Sequence, residues 1–258
     1  MINRRTFSTA LVAGVATTIL ASSHKTSAQT APKIRNVVLV HGAYADGSCW
    51  SEVVGLLQQA GLNPTVVQHP LTTLEAGVEA TRRAIALQDG PTVLVGHSFA
   101  GMIVTEAGMD PKVSSLVYVA ARAPDAGEDY TALAKTFAAP PASAGLVWSA
   151  GYGKLGEEAF LRDFAGDIPR DKARILYAVQ GPISDKLFTG KTTQAAWRSK
   201  PSWYAVSTED RTINPDLERF MAKRMNAKTI EVKASHLSLI SHPDVIAGLI
   251  SQAAGSLS

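Results

Sequence analysis

Thr92-Val93-Leu94-Val95-Gly96-His97-Ser98-Phe99-Ala100-Gly101 is the stretch that decides how this 258-residue chain is read. It opens on an unbroken apolar run, the pattern of a strand covered on both faces. It continues, from Phe99 to about Met109, as a helix. Between the two stands a serine with a small residue two places before it, Gly96, and another two places after it, Ala100. A turn sharp enough to pass directly from strand to helix presses those two positions together, so only small side chains fit there. The serine at its apex projects its hydroxyl above the sheet, at the positive end of the following helix. Ala100 stands where such turns usually carry glycine; it is still small, and Gly101 follows it.

Outward from this turn the chain alternates strand and helix. Val37-Val38-Leu39-Val40 reads as a first strand. Trp50, Val54, Leu57 and Gly61 then fall at helical spacing, with Gly61 as a stop. Thr65-Val66-Val67 reads as a strand, and Thr73 as the cap of a helix running to about Leu87. After the serine helix comes Ser115-Leu116-Val117-Tyr118-Val119. The alternation breaks at Ala121. Residues 122 to about 200 carry Pro124, Pro140, Pro141 and Pro182 and only irregular helical stretches, which predicts an inserted helical cap over the strand ends. The pattern resumes at Trp203-Tyr204-Ala205-Val206, a helix from Pro215 to Met225, a strand at Thr229-Ile230-Glu231-Val232 and a helix from Pro243 to about Ala254. Strand and helix repeated with short links predict an α/β fold: a mainly parallel sheet of about six strands flanked by helices.

A serine hydroxyl is a weak nucleophile until a neighbouring base takes its proton. The chain has six histidines. His97 lies beside Ser98 in the turn and points elsewhere, His41 scaffolds the loop after the first strand, and His69 and His242 read as structural or exposed. His236 follows the last strand, at the same sheet edge as the turn. Asp210 follows the penultimate strand, where a carboxylate can hold the far nitrogen of the imidazole. Glu209 and Asp125 are the rival acids. His41-Gly42-Ala43 follows the first strand; Gly42 lets the backbone come close, so that the N–H groups of Ala43 and Phe99 converge on a developing oxyanion. Tyr44 and Phe99 are expected on the floor of a mainly apolar pocket, with Phe160, Phe188 and Trp197 of the insertion above it. The lone cysteine, Cys49, sits among apolar neighbours and reads as a small buried residue.

Composition narrows the function further. A chain with 46% hydrophobic residues supports one sizeable core. The net charge of +3 rests on the first 28 residues: removing them takes away Arg4, Arg5 and Lys25, leaving 22 Lys and Arg against 22 Asp and Glu. A near-neutral chain gives no reason to expect nucleic acid or an anionic membrane as partner. Arg4-Arg5-Thr6-Phe7 before a short apolar stretch, Ala10 to Ala21, reads as a signal of the twin-arginine type. It is too short for a membrane span, and Thr26-Ser27-Ala28 offers a cleavage site. The expectation is a signal peptide over 1–28, a domain over 29–258, and a bacterial protein working in the periplasm or outside the cell. No stable membrane insertion is expected, and a homodimer stays open.

Together, Val40-His41-Gly42-Ala43, Gly96 to Gly101, Glu209-Asp210-Arg211-Thr212-Ile213 and Ser235-His236 resemble the α/β-hydrolase superfamily over residues 34 to 255. The stretch from His41 to Trp50 resembles the branch of plant methyl esterases and hydroxynitrile lyases and their bacterial relatives. The resemblance implies a small helical cap, no cofactor and no metal, and a nucleophile, acid and base at Ser98, Asp210 and His236. Two departures stand out. Hydroxynitrile lyases of that branch carry a lysine after the catalytic histidine, and here the position is Leu237. The first two antiparallel strands usual in the fold are not found ahead of Val37. The function expected is hydrolysis of a small or medium carboxylic ester, or a lactone, through an acyl-enzyme. The alternatives are lyase or C–C bond hydrolysis by the same three residues, which a substrate panel separates, and a non-catalytic small-molecule binder, which a fluorophosphonate probe separates.

Overall fold

The computed structural model describes residues 34–255; the segment read as a signal peptide lies outside them. In chain order the first half comprises β1 (Asn36–Val40), α1 (Ser51–Gln59), β2 (Asn63–Val67), α2 (Leu74–Ala86), β3 (Thr92–His97), α3 (Ala100–Ala107) and β4 (Val113–Val119). An insertion follows, with α4 (Tyr130–Ala134), β5 (Leu146–Ser149), β6 (Tyr152–Leu155), α5 (Glu157–Ala159) running into a π-helical turn at Phe160–Phe164, α6 (Arg170–Val179) and β7 (Ile183–Ser184). The chain then returns through β8 (Ser202–Ser207), α7 (Pro215–Arg224), β9 (Lys228–Val232), α8 (Ser238–Ser241) and α9 (Pro243–Ala253).

Six strands form one parallel sheet in the order β2-β1-β3-β4-β8-β9. The burial of each strand follows its place. Central β1, β3 and β8 are buried at every residue, as strands with both faces covered must be. The edge strand β2 carries Pro64, which donates no ladder hydrogen bond and is tolerated only at such an edge. The opposite edge, β9, exposes Lys228 and Glu231, charges that discourage pairing with another strand. Helix α1 packs on α9, and α2 on α3. Thr73 caps α2 by accepting a hydrogen bond from the Ala76 N–H at 3.1 Å. Trp50, Tyr118, Tyr204 and Phe99 are the largest fully buried side chains of the core.

The insertion has helices, as expected, together with a three-stranded antiparallel sheet, β5-β6-β7, that the irregular spacing of its residues did not reveal. Its hairpin turns at Ala150-Gly151, both in the left-handed region with φ of 49° and 79°. Among the described residues no helix is long and apolar enough to cross a membrane.

Candidate active site

The loops leaving the carboxyl ends of β1, β3, β4, β8 and β9 meet at one edge of the sheet, where ligands of open α/β sheets bind. Ser98 sits at the apex of the β3–α3 turn with φ of +56°, a conformation that a side-chain-bearing residue adopts only when its surroundings enforce it. The enforcement is visible. The Ser98 N–H donates to the Val119 carbonyl at 3.1 Å, and the Ser98 carbonyl accepts from the N–H groups of Gly101 and Arg122, both at 3.0 Å. A Cβ on Gly96 would lie 2.7 Å from the Ala100 carbonyl oxygen, which is why position 96 has no side chain while Ala100 is tolerated.

Three side chains named from the sequence come together here. His236 Nε2 is 2.7 Å from Ser98 Oγ, and His236 Nδ1 is 2.5 Å from Asp210 Oδ2. All three are buried. The second carboxylate oxygen of Asp210 accepts from the N–H groups of Thr212 at 2.6 Å and Ile213 at 3.0 Å, which fixes the carboxylate's orientation. With Nδ1–H donated to Asp210, Nε2 carries the lone pair and can accept the serine proton. The rival acids lie elsewhere: Glu209 faces Lys233 at the surface, and Asp125 is clamped by Arg198.

Gly42 brings the loop after β1 against the serine, since a Cβ there would lie 2.6 Å from Ser98 Cβ. Among the described residues neither the Ala43 N–H nor the Phe99 N–H has an acceptor, so both are free to bind an oxyanion. A cavity of about 330 Å³ opens on Ser98 and is lined by Ala43, Tyr44, Phe99, Arg122, Tyr130 and Phe188, among others. Tyr44 and Phe188 thus lie where the sequence placed them, with their rings 6.4 Å apart.

Two other aromatics do not. Trp197 is turned away from the cavity: its Nε1–H donates to the Pro124 carbonyl at 3.0 Å, and its ring is flanked by the guanidinium groups of Arg198 and Arg224. Phe160 packs on Phe164 and Tyr177 and borders a separate void of about 20 Å³ shared with Tyr44 and Leu237. Both are buried outside the cavity lining, Phe160 within the insertion and Trp197 where the insertion meets α7. Leu237 is buried, so the position after His236 is apolar in surroundings as well as in identity.

Sequence reasoning missed four residues. His97 points away from the serine, as expected, but its Nε2–H donates to the His236 carbonyl at 3.0 Å and so holds the backbone of the base. Burial, reinforced by the neighbouring imidazole of His236, pushes its pKa well down, and it stays neutral. Glu218, on α7, is fully buried and takes the Ser207 N–H at 3.2 Å. Burial first and the neighbouring Asp210 second push its carboxyl well above the usual range, so a neutral acid stands behind Asp210. Asp163, its side chain fully buried, joins the insertion to the acid's loop: Arg211 Nε donates to it at 2.7 Å, and Arg162 and Arg211 hold its pKa down. Arg122, the first polar residue after β4, turns its guanidinium to the cavity. A charged residue directly after a buried strand at this sheet edge was the one signal available for it.

Among the described residues no group of three or more His, Cys, Asp or Glu is placed to hold a metal ion. Cys49 is buried, and burial raises its thiol pKa further, which makes it unreactive.

Comparison with known proteins agrees with this architecture. The model of the alpha/beta hydrolase family matches residues 37–249. The carbendazim hydrolyzing esterase of Nocardioides sp. is 32% identical over 126 residues, covering 43% of this chain and 52% of the esterase, so the match spans about half the length of that protein. The alpha/beta hydrolase nvfD of Aspergillus novofumigatus is 27% identical over 242 residues, 85% of this chain and 96% of nvfD. Among solved structures, polyneuridine aldehyde esterase superposes with a TM-score of 0.70 at 20% identity, covering 83% of this chain and 97% of that one.

Proposed function

This chain belongs to the alpha/beta hydrolase family, and from that premise we propose that it is a serine hydrolase cleaving a small or medium carboxylic ester, or a lactone, through an acyl-enzyme on Ser98. The observation that carries the reading is the hydrogen-bonded series Ser98–His236–Asp210 at the mouth of a cavity large enough for such a substrate. Ser98 Oγ attacks the carbonyl carbon while His236 Nε2 takes its proton. The oxyanion that forms receives the N–H groups of Ala43 and Phe99. His236 then gives its proton to the leaving oxygen, which departs as an alcohol, and the acyl group stays on Ser98. Water repeats the sequence: its proton passes to His236, its oxygen attacks the acyl carbon, and Ser98 recovers the proton as the acid leaves. Asp210 keeps Nδ1 protonated throughout and steadies the imidazolium.

The esterase named among the relatives supports this class of reaction. The buried, apolar Leu237, at the position where hydroxynitrile lyases carry a lysine, supports hydrolysis over cyanohydrin cleavage. The test is turnover of p-nitrophenyl esters with fluorophosphonate labelling. The native chain is expected to turn over and be labelled, and Ser98→Ala to do neither. Turnover retained by Ser98→Ala would remove the serine from its role, and a native chain that neither labels nor turns over is a binder.

A further inference from the structure

Arg122 lines the cavity with Ser98 and, among the described residues, is the only charged side chain bordering it. Its guanidinium lies against three aromatic rings: its central carbon is 4.2 Å from the centre of Phe188, 4.7 Å from Tyr130 and 5.9 Å from Phe99. The negative faces of these rings attract it and hold it in place, but none is a counter-ion. Tyr130 stays a neutral phenol, since burial pushes its pKa up to about 12 even with Arg122 pulling the other way. Tyr44 is kept neutral by burial in the same manner. Among the described residues no carboxylate pairs with Arg122, and its buried Nε–H has no acceptor. An enclosed N–H without an acceptor and a half-buried charge without a partner both destabilise a fold. A leucine or methionine would fill the same space among the rings without that cost.

The backbone that carries this side chain is tied to the nucleophile. The Arg122 backbone N–H donates to the Ser98 carbonyl at 3.0 Å, and Gly101 lies so close that a Cβ there would meet the Arg122 carbonyl oxygen at 2.1 Å. The side chain therefore starts from a backbone tied to the nucleophile's own carbonyl, and the three rings hold its guanidinium in the cavity.

We propose that Arg122 selects the substrate: the ester or lactone cleaved at Ser98 carries a second, anionic carboxylate, which the guanidinium receives in the cavity. This inference rests on the esterase reading above and names its substrate class. The bond chemistry is unchanged, because the second carboxylate is held and takes no part in it. The planar fork of an arginine suits a carboxylate, whereas a lysine offers a single point charge and stacks poorly on rings.

Two matched pairs of esters test it. On the acyl side, mono-p-nitrophenyl glutarate is compared with p-nitrophenyl pentanoate, its uncharged counterpart of equal chain length. On the alcohol side, 4-acetoxybenzoate is compared with its methyl ester. The native chain is expected to turn over the anionic member of at least one pair with the higher kcat/KM. In Arg122→Met the anionic-to-neutral ratio of that pair is expected to fall by about 30-fold or more, the size expected when one partner of an enclosed charge pair is truncated. Arg122→Lys is expected to fall between the two. The native ratio stands without any variant: neutral members preferred in both pairs would overturn the inference, as would a ratio in Arg122→Met equal to that of the native chain. Turnover of the neutral esters alone leaves the esterase reading in place, whereas no turnover of any of the four removes the esterase reading itself.

Discussion

Replacing Gly42 by alanine tests whether the close approach of two loops supplies the anion-binding N–H groups. The added Cβ would stand 2.6 Å from Ser98 Cβ, 3.0 Å from the His97 carbonyl oxygen and 3.1 Å from His97 Nδ1. Ordinary contact begins near 3.4 Å, so the two loops must separate by the difference between 3.4 and 2.6 Å, about 0.8 Å. None of these neighbours is the far end of a flexible side chain: two belong to the backbone or the Cβ of the β3–α3 turn, and the third is a buried imidazole tied to His236. Ala43 rides on the same loop, so its N–H moves away from the oxyanion by a similar amount. Loss of one such donor costs about 2.7–4 kcal/mol in the transition state, or about 10²–10³ in kcat, and a misplacement of about 1 Å near the reacting centre is of comparable consequence. The strain on the fold is smaller, about 1–3 kcal/mol for an overpacked contact, so Gly42→Ala stays folded. The assay is kcat on a p-nitrophenyl ester beside a thermal melt. Gly248→Ala in α9, where nothing lies within 4 Å of the added Cβ, is the control and keeps full activity. A folded Gly42→Ala chain with kcat within a few-fold of the native value would refute the assignment of Ala43 as a donor.

Two further predictions concern buried titrating groups. Because burial and Asp210 raise the Glu218 pKa above its ordinary 4.5, its contribution to stability is complete below that value and is lost as pH rises toward the folded value. Glu218→Gln keeps an acceptor for the Ser207 N–H and cannot ionise, so its melting point relative to the native chain is expected to be higher at pH 8 than at pH 4; a difference that does not change with pH would contradict this. His41 behaves oppositely. Burial first, and the neighbouring His69 second, lower its pKa from 6.5 to about 4, so its contribution is complete above 6.5 and lost as pH falls toward 4. At about 1.36 kcal/mol per unit this amounts to about 3 kcal/mol. Glu218 masks part of that loss, so the measurement belongs in the Glu218→Gln chain, where a melting point that stays level from pH 6.5 to 4.5 would count against a buried neutral His41.

The sheet was legible because its strands are buried on both faces and so read as unbroken apolar runs. Thr92–Val95 and Leu116–Val119 leave no room for another reading once a turn with small flanking residues follows the first. Ser98, Asp210 and His236 were legible because each follows a strand, and strand ends on one edge of a parallel sheet lie close together wherever they fall in the chain. The insertion was not legible. Strands β5 and β6 have four residues each and β7 has two, too short for an alternation to stand out, and Val147, Trp148 and Tyr152 face solvent although they are apolar or aromatic. With no period to follow, nothing in the sequence distinguishes Phe188, which lines the cavity, from Trp197, which props Pro124. Glu218 and Asp163 were hidden for another reason. Their importance comes from what they touch, Asp210 in one case and Arg211 in the other, and a carboxylate on an amphipathic helix or a turn looks the same whether it faces water or a partner.

Among the described residues the insertion is fastened to the loops of the reacting groups at several points, among them the Arg122 N–H on the Ser98 carbonyl, Asp163 on Arg211 and Thr212, and Asp167 on Ser235. Swinging it away as a rigid door would drag the nucleophile at one root and the loop of Asp210 at the other. Further out, Leu146 and Leu155 of the β5–β6 hairpin form part of the cavity wall, and Trp148 of the same hairpin stands half in solvent. That hairpin carries none of Ser98, Asp210 and His236, so changing it recuts the cavity wall without touching them, which makes it the natural place to reshape what the cavity admits.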